Sequence, residues 1–134
     1  MTAPKVYRSR HGARGKFNAV RTEYRGQTYD SKLEASRAVA LDALQAAGQI
    51  AGWRRGRDWL LLNTPHPHRK GRRLKVVYRP DFEVWTAADQ GDLWLEDTKG
   101  VQTPVFRLKA KLFLAVHPGV RLKVITKDGA ETWL

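Results

Sequence analysis

The chain has 134 residues, 42% of them hydrophobic and 28% charged, with no cysteine and 25 Lys+Arg against 13 Asp+Glu, a net charge of +12. That length predicts one domain able to bury a real core, and the missing cysteine excludes disulfides, thiolate metal centres and cysteine nucleophiles. No apolar run nears the ~18 residues of a membrane span and no signal-peptide core follows Met1, so the sequence predicts a soluble, cytoplasmic protein with a polyanionic partner and no membrane contact.

The charge is concentrated. Residues 5–25 carry seven basic side chains and one acid, residues 54–79 nine and one, and the remainder of the chain is slightly acidic. Two such runs, neither with the apolar face of an amphipathic helix, point to nucleic acid rather than a lipid surface.

Residues 1–20 lack hydrophobic periodicity and predict a flexible basic arm, leaving 21–134 as the folded domain. Residues 21–29 predict a hairpin turning at Arg25-Gly26. A helix starts at Asp30 or Ser31, where Ser31-Lys32-Leu33-Glu34 has capping-box form, continues on Leu33, Ala40, Leu41, Leu44 and Ala47, and closes at Gly48. Residues 50–57 read as a turn region, 59–62 as a short strand, and 63–71 as a basic loop rich in Pro and His. Residues 74–85 alternate as one long strand, with Leu74, Val76, Tyr78, Phe82 and Val84 on one face and Lys75, Arg79, Asp81 and Glu83 on the other. Pro80 cannot donate to a ladder and marks a bulge or a parting of strands. A turn at 88–92, a strand at 93–99, a helix from Thr103 or Pro104 through 115 with Val105, Leu108, Leu112 and Ala115 as its apolar face, and a strand at 120–126 complete the pattern. The order predicts an α/β fold, a mixed central sheet flanked by helices.

The chemistry-bearing residues lie on these elements. Asp81 follows the proline on the polar face of its strand. In Glu96-Asp97-Thr98-Lys99-Gly100, Asp97 and Lys99 share a face while Glu96 and Thr98 point the other way. A carboxylate that holds a divalent metal beside a lysine that orients water and stabilises developing negative charge is the minimum equipment for phosphodiester hydrolysis. Glu34 lies at the edge of the apolar stripe of the first helix, and Arg37 falls inside it, where an arginine is unexpected without an anion nearby. His66 and His68 read as loop histidines that touch DNA rather than as chelators. Of the five tryptophans, Trp53 and Trp59 are the candidates for stacking on a base. No phosphate-binding glycine motif is present, so no nucleotide cofactor is expected.

Glu34, Pro80-Asp81 and Asp97-Thr98-Lys99 resemble, in order and context, the motif of the PD-(D/E)xK nucleases, the restriction-endonuclease-like superfamily. More narrowly, Tyr29-Asp30-Ser31-Lys32-Leu33-Glu34, Tyr78-Arg79-Pro80-Asp81-Phe82, Glu96-Asp97-Thr98-Lys99-Gly100 and the run from Phe106 to Phe113 resemble small phage-encoded nucleases of the Holliday junction resolvase type. The resemblance implies a restriction-endonuclease-like sheet, Mg2+ or Mn2+ held by Asp81, Asp97, the Thr98 backbone carbonyl and Glu34, and Lys99 positioning the attacking water. It also implies a homodimer cutting two strands of branched DNA. Phosphate contacts fall to Arg37, Arg54, Arg55, Arg57, Arg69, Lys70, Arg72, Arg73, Lys109 and Lys111. Two alternatives stay open at this stage: a nuclease of the same fold acting on duplex, flap or single-stranded DNA, and a non-catalytic DNA-binding protein with no need for its acids and Lys99 to meet.

Overall fold

A computed structural model describes residues 19–134 and the strand Lys5–Val6. Apart from that strand and residues 19–20, the basic arm expected over 1–20 lies outside the described residues. The chain divides into two compact units, residues 1–52 and 53–134.

In the first unit, β1 (Lys5–Val6), β2 (Thr22–Tyr24) and β3 (Gln27–Tyr29) form an antiparallel sheet in that order. Arg25 and Gly26 turn with φ of 50° and 75°, the positive pair that two-residue hairpins require. Helix α1 (Lys32–Ala46) follows, its N-cap Ser31 accepting the Glu34 N–H at 3.1 Å, a cap worth about 1 kcal/mol. Gly48, at φ 75°, ends the run as the pattern predicted. Asp42 ties the hairpin to the helix, accepting from the Tyr24 hydroxyl at 2.7 Å and pairing with Arg25 at 3.3 Å. The buried stripe of α1 is Ala35, Ala38 and Leu41, while Leu33, Ala40 and Leu44 are half-buried. Small residues let the helix approach its sheet closely. This recentres the stripe on Ala38, so that Glu34 lies within it and Arg37, about 100° from its centre, falls outside it.

The second unit is built on a five-stranded mixed sheet in the order β10 (Glu131–Trp133), β9 (Arg121–Thr126), β8 (Leu93–Lys99), β7 (Phe82–Trp85), β4 (Gly52–Arg55). β7 and β9 flank β8, the first antiparallel and the second parallel, and α2 (Pro104–Val116) makes the crossover between β8 and β9. β5 (Trp59–Pro65) and β6 (Arg73–Tyr78) form a separate two-stranded ribbon. The strand expected over 74–85 is therefore two strands. At Arg79-Pro80-Asp81 the chain leaves the ribbon and enters the large sheet, the parting that Pro80 announced. The region expected as a turn at 50–57 contains the edge strand β4 instead.

Leu61, Tyr78, Leu95, Phe106, Ala110, Phe113, Leu122 and Val124 pack as one core. The apolar face expected for the second helix, Val105, Leu108 and Leu112, is instead the outward one: Val105 is 63% and Leu108 59% exposed. Phe106 and Phe113 offer more apolar area at i, i+7 spacing, and they win the core. No helix among the described residues is long and apolar enough to cross a membrane.

One close approach fixes the break before β7. The Gly56 N–H donates to the Asp81 carbonyl at 2.9 Å, and a Cβ at Gly56 would sit 1.9 Å from the Pro80 carbonyl oxygen. Gly56→Ala must therefore push the Pro80-Asp81 backbone away. We expect a loss of about 1–3 kcal/mol, read as a lower urea midpoint; a midpoint equal to wild type would show that this contact is dispensable.

Candidate active site

The site is assembled at one end of the β7–β8 pair. Phe82 faces Glu96 in the antiparallel register, so Asp81, just ahead of β7, is level with Asp97 near the end of β8. Asp81 is held by its neighbour across the gap: Thr98 donates both its N–H and its hydroxyl to Oδ2, each at 2.7 Å. Asp97 is 1% exposed. Its Oδ2 accepts from the Tyr78 hydroxyl at 2.5 Å, and Lys99 Nζ stands 2.8 Å from Oδ1. Among the described residues Oδ1 receives no well-directed hydrogen bond beside that ion pair. Lys99 Nζ also lies 4.7 Å from the centre of the Phe106 ring, at the start of α2, which steers the ammonium over the carboxylate.

The electrostatics are unbalanced. Burial and then the charge of Asp81 push the Asp97 carboxyl up to about 8, against the opposing pull of Lys99 and Tyr78. Burial, with the charge of Asp97 next, raises the Tyr78 phenol far above its ordinary range. Two carboxyls this close to one another need a positive charge between them to ionise together. Beyond Lys99, at the carboxyl ends of β8 and β9, a groove of about 450 Å³ opens, lined by Lys99, Gly100, Gln102, Thr126, Lys127 and Asp128. Gln102 and Lys127 carried no sequence motif. The available signal was position alone, just past two strands whose ends bound a crevice in a sheet with a crossover.

Asp81, Asp97 and Lys99 are thus brought together, on the side that strand parity assigned, and Thr98, which parity sent the other way with Glu96, nevertheless reaches Asp81 through its hydroxyl. Glu96 faces the opposite side, where it accepts from Trp94 Nε1 at 3.0 Å and lies 3.8 Å from Lys123 Nζ. Glu34 and Arg37 lie half-buried on α1, in the first unit. Among the described residues no three of His, Cys, Asp and Glu form a group able to hold a metal.

The expected phosphate contacts sort into two sets. Arg69, Lys70, Arg72, Arg73, Arg55 and Lys111 are exposed, and Lys109 is half-buried. Arg54 and Arg57 have a use of their own. Glu83, read as a polar-face residue, is fully buried and accepts from Arg54 Nη2 and Arg57 Nη2 at 3.2 Å and from the Arg57 N–H at 3.0 Å. Burial pushes the Glu83 carboxyl up, but the bonds from Arg57 and Arg54 outweigh it and hold it below the usual range. The tryptophans considered for base stacking are committed to packing, Trp53 edge-on to Phe82 at 5.5 Å and Trp59 edge-on to Phe113 at 5.6 Å. His66 Nδ1 accepts the His68 N–H at 3.1 Å, which turns that ring onto the loop backbone.

The strain on Asp97 has a testable sign. Its folded-state pKa lies above the unfolded value of about 4, so in the absence of divalent cation ionisation costs the folded state stability as pH climbs from about 4 toward 8. In EDTA, Asp97→Asn should melt close to wild type at pH 5 and clearly above it at pH 8.5. Melting curves that run parallel across that range would refute the assignment.

Residues 14–130 match the family described as Protein of unknown function (DUF1064), and the chain belongs to that family. No curated protein and no solved structure matches it.

Proposed function

We propose that this DUF1064 protein is a metal-dependent DNA endonuclease of the PD-(D/E)xK kind, acting on branched DNA, with the four-way junction as preferred substrate. The observation that carries the reading is the opposition of Asp81 and Asp97 with Lys99 in ion-pair contact, in a chain of net charge +12. A mixed sheet whose acids share a face with the core packed under α2 supports the restriction-endonuclease-like assignment.

The residues fit a hard divalent cation. Asp97 Oδ1 is buried with no well-directed hydrogen bond, its neighbour Asp81 repels it, and the atoms of Asp81, Asp97 and Thr98 that would meet a cation are oxygens. Mg2+, with Mn2+ as a substitute, would be held by Asp81, Asp97 and the Thr98 carbonyl. When bound, such a cation supplies charge for the phosphodiester oxygens and acidifies water. The protein's own groups do the positioning. Thr98 fixes the rotamer of Asp81, Tyr78 fixes that of Asp97, and Lys99, with its side chain 27% exposed, reaches solvent to orient water and meet developing negative charge. Arg69, Lys70, Arg72, Lys109 and Lys111 seat neighbouring phosphates. Glu34 as a further ligand, the homodimer and action in the host cytoplasm carry over from the resemblance alone.

Labelled duplex, flap, single-stranded and four-way junction DNA, incubated with Mg2+ or EDTA, test the reading. Cleavage should require the cation and disappear in Asp81→Asn and Asp97→Asn while DNA binding persists or tightens, since neither change removes a phosphate contact. Lys99→Ala should slow cleavage about 10²–10³-fold with affinity nearly unchanged. Mg2+ should raise the melting temperature of wild type and not of Asp97→Asn. Cleavage by pure protein in EDTA, or variants that lose binding alone, would overturn the proposal. Glu34→Gln is a separate arm, with loss of activity expected.

A further inference from the structure

The β5–β6 ribbon has features that phosphate binding alone does not explain. Residues 59–78 hold five cations (Arg69, Lys70, Arg72, Arg73 and Lys75) and no acid. From Leu62 to Lys75 every residue but the half-buried His66 is exposed, so the ribbon projects about 13 Å of paired strand past Leu61, its last buried residue on β5, before the tip loop. The projection is ordered by its own bonds. Arg73 Nε donates to Asn63 Oδ1 at 2.7 Å, the His66 N–H to the Arg72 carbonyl at 2.8 Å, and Gly71 takes the left-handed φ of 76° that the tip needs. Arg73 is thereby spent on bracing the ribbon, and Arg69, Lys70 and Arg72 are left at the tip.

The two faces of the ribbon differ. A register shift between Leu60 and Leu62 sets Leu61 as an extra residue, which drops into the core and restores the phase of the strand beyond it. After the shift, Leu62 pairs with Val76 and Thr64 with Leu74, on the face that Trp59 and Tyr78 begin at the core, while Asn63 pairs with Lys75 and Pro65 with Arg73 on the other. The core face thus continues outward as an apolar strip on which Leu62 and Leu74 are each 41% exposed.

We propose that this ribbon is the element that tells branched from continuous DNA: its tip sits on phosphates, and the Leu62–Leu74 strip packs on base faces left unstacked at a branch point. This rests on the nuclease reading above. A continuous duplex offers phosphates and base edges but keeps its base faces inside the stack, whereas a branch exposes them to apolar side chains. The charge argues against a second copy as occupant, because two ribbons with five cations and no acid each would repel face to face.

The test is competition binding at near-physiological salt in EDTA, using a four-way junction, a flap and a duplex of equal length. Leu62→Asn combined with Leu74→Asn should lower affinity for junction and flap about tenfold, as expected for uncovering two partly buried leucines, with duplex affinity and salt dependence unchanged. Arg69→Ala, Lys70→Ala and Arg72→Ala together should weaken all three and flatten the slope of log K against log salt by about 0.9 per lost phosphate contact. Equal losses on duplex and branched DNA in the leucine variant, or no loss at all, would overturn the proposal. So would a change of sedimentation in that variant with its DNA preference intact, which would mark the strip as a contact between copies. Because binding is read without cation, branch preference without cleavage would remove the catalytic reading and leave this one standing.

Discussion

The register between β7 and β8 is the constraint from which the site follows. Once Phe82 faces Glu96, the residue before β7 must stand level with Asp97, and the two carboxyls meet whatever their mutual repulsion. The surroundings keep that meeting in place. Thr98 takes hold of Asp81 with two donors, Gly56 lets the chain pass against Pro80, and Tyr78 donates to Asp97 from the last residue of β6. Tyr78 is also a core residue, so the packing of the ribbon base and the orientation of one acid are the same interaction.

Three fully buried carboxyls in the second unit show what distinguishes the site from ordinary architecture. Glu83 is answered by two arginines and a backbone N–H, and Glu96 by an indole N–H and Lys123, which itself lies between the rings of Trp94 and Trp133 at 5.4 and 4.6 Å. Asp97 has one phenol and one lysine, and it faces another acid. The first two are satisfied groups that hold strands and loops together. The third is left short of positive charge, which costs stability and is the kind of imbalance that folded proteins carry where a charged ligand is to be received.

Much of this was legible in the residues. Strand parity alone assigned Asp97 and Lys99 to one side and Glu96 to the other, and the missing N–H of Pro80 announced that the strands part there. The Ser31 cap and the Arg25-Gly26 turn are local chemistry, and local chemistry reads well from sequence. What failed depended on competition between distant residues. The outward face of α2 has the right period for a core face, but Phe106 and Phe113 outbid it. Residues 50–57 read as a turn region, and the strand β4 there was not legible because the buried Glu83 that accepts Arg54 is 29 positions away. Glu34 was legible as a capping-box residue; that Ala35 and Ala38 join Leu41 in the buried stripe in place of Leu33, Ala40 and Leu44 was not, because it depends on how closely the helix approaches the sheet.

The turn between β7 and β8 lies at the far end of the hairpin from the acids. Its residues, 86–92, are exposed, and the Thr86 hydroxyl closes it onto Asp92 at 3.2 Å. Antiparallel strands transmit register and not loop length, so residues added at that turn leave the opposite end unchanged. The distance in sequence between Pro-Asp and Asp-x-Lys is therefore free to drift among related chains. A pattern search for this site should fix the few positions around each acid and leave the spacer between them open, and the same turn is the natural place to attach a fluorophore or an affinity handle.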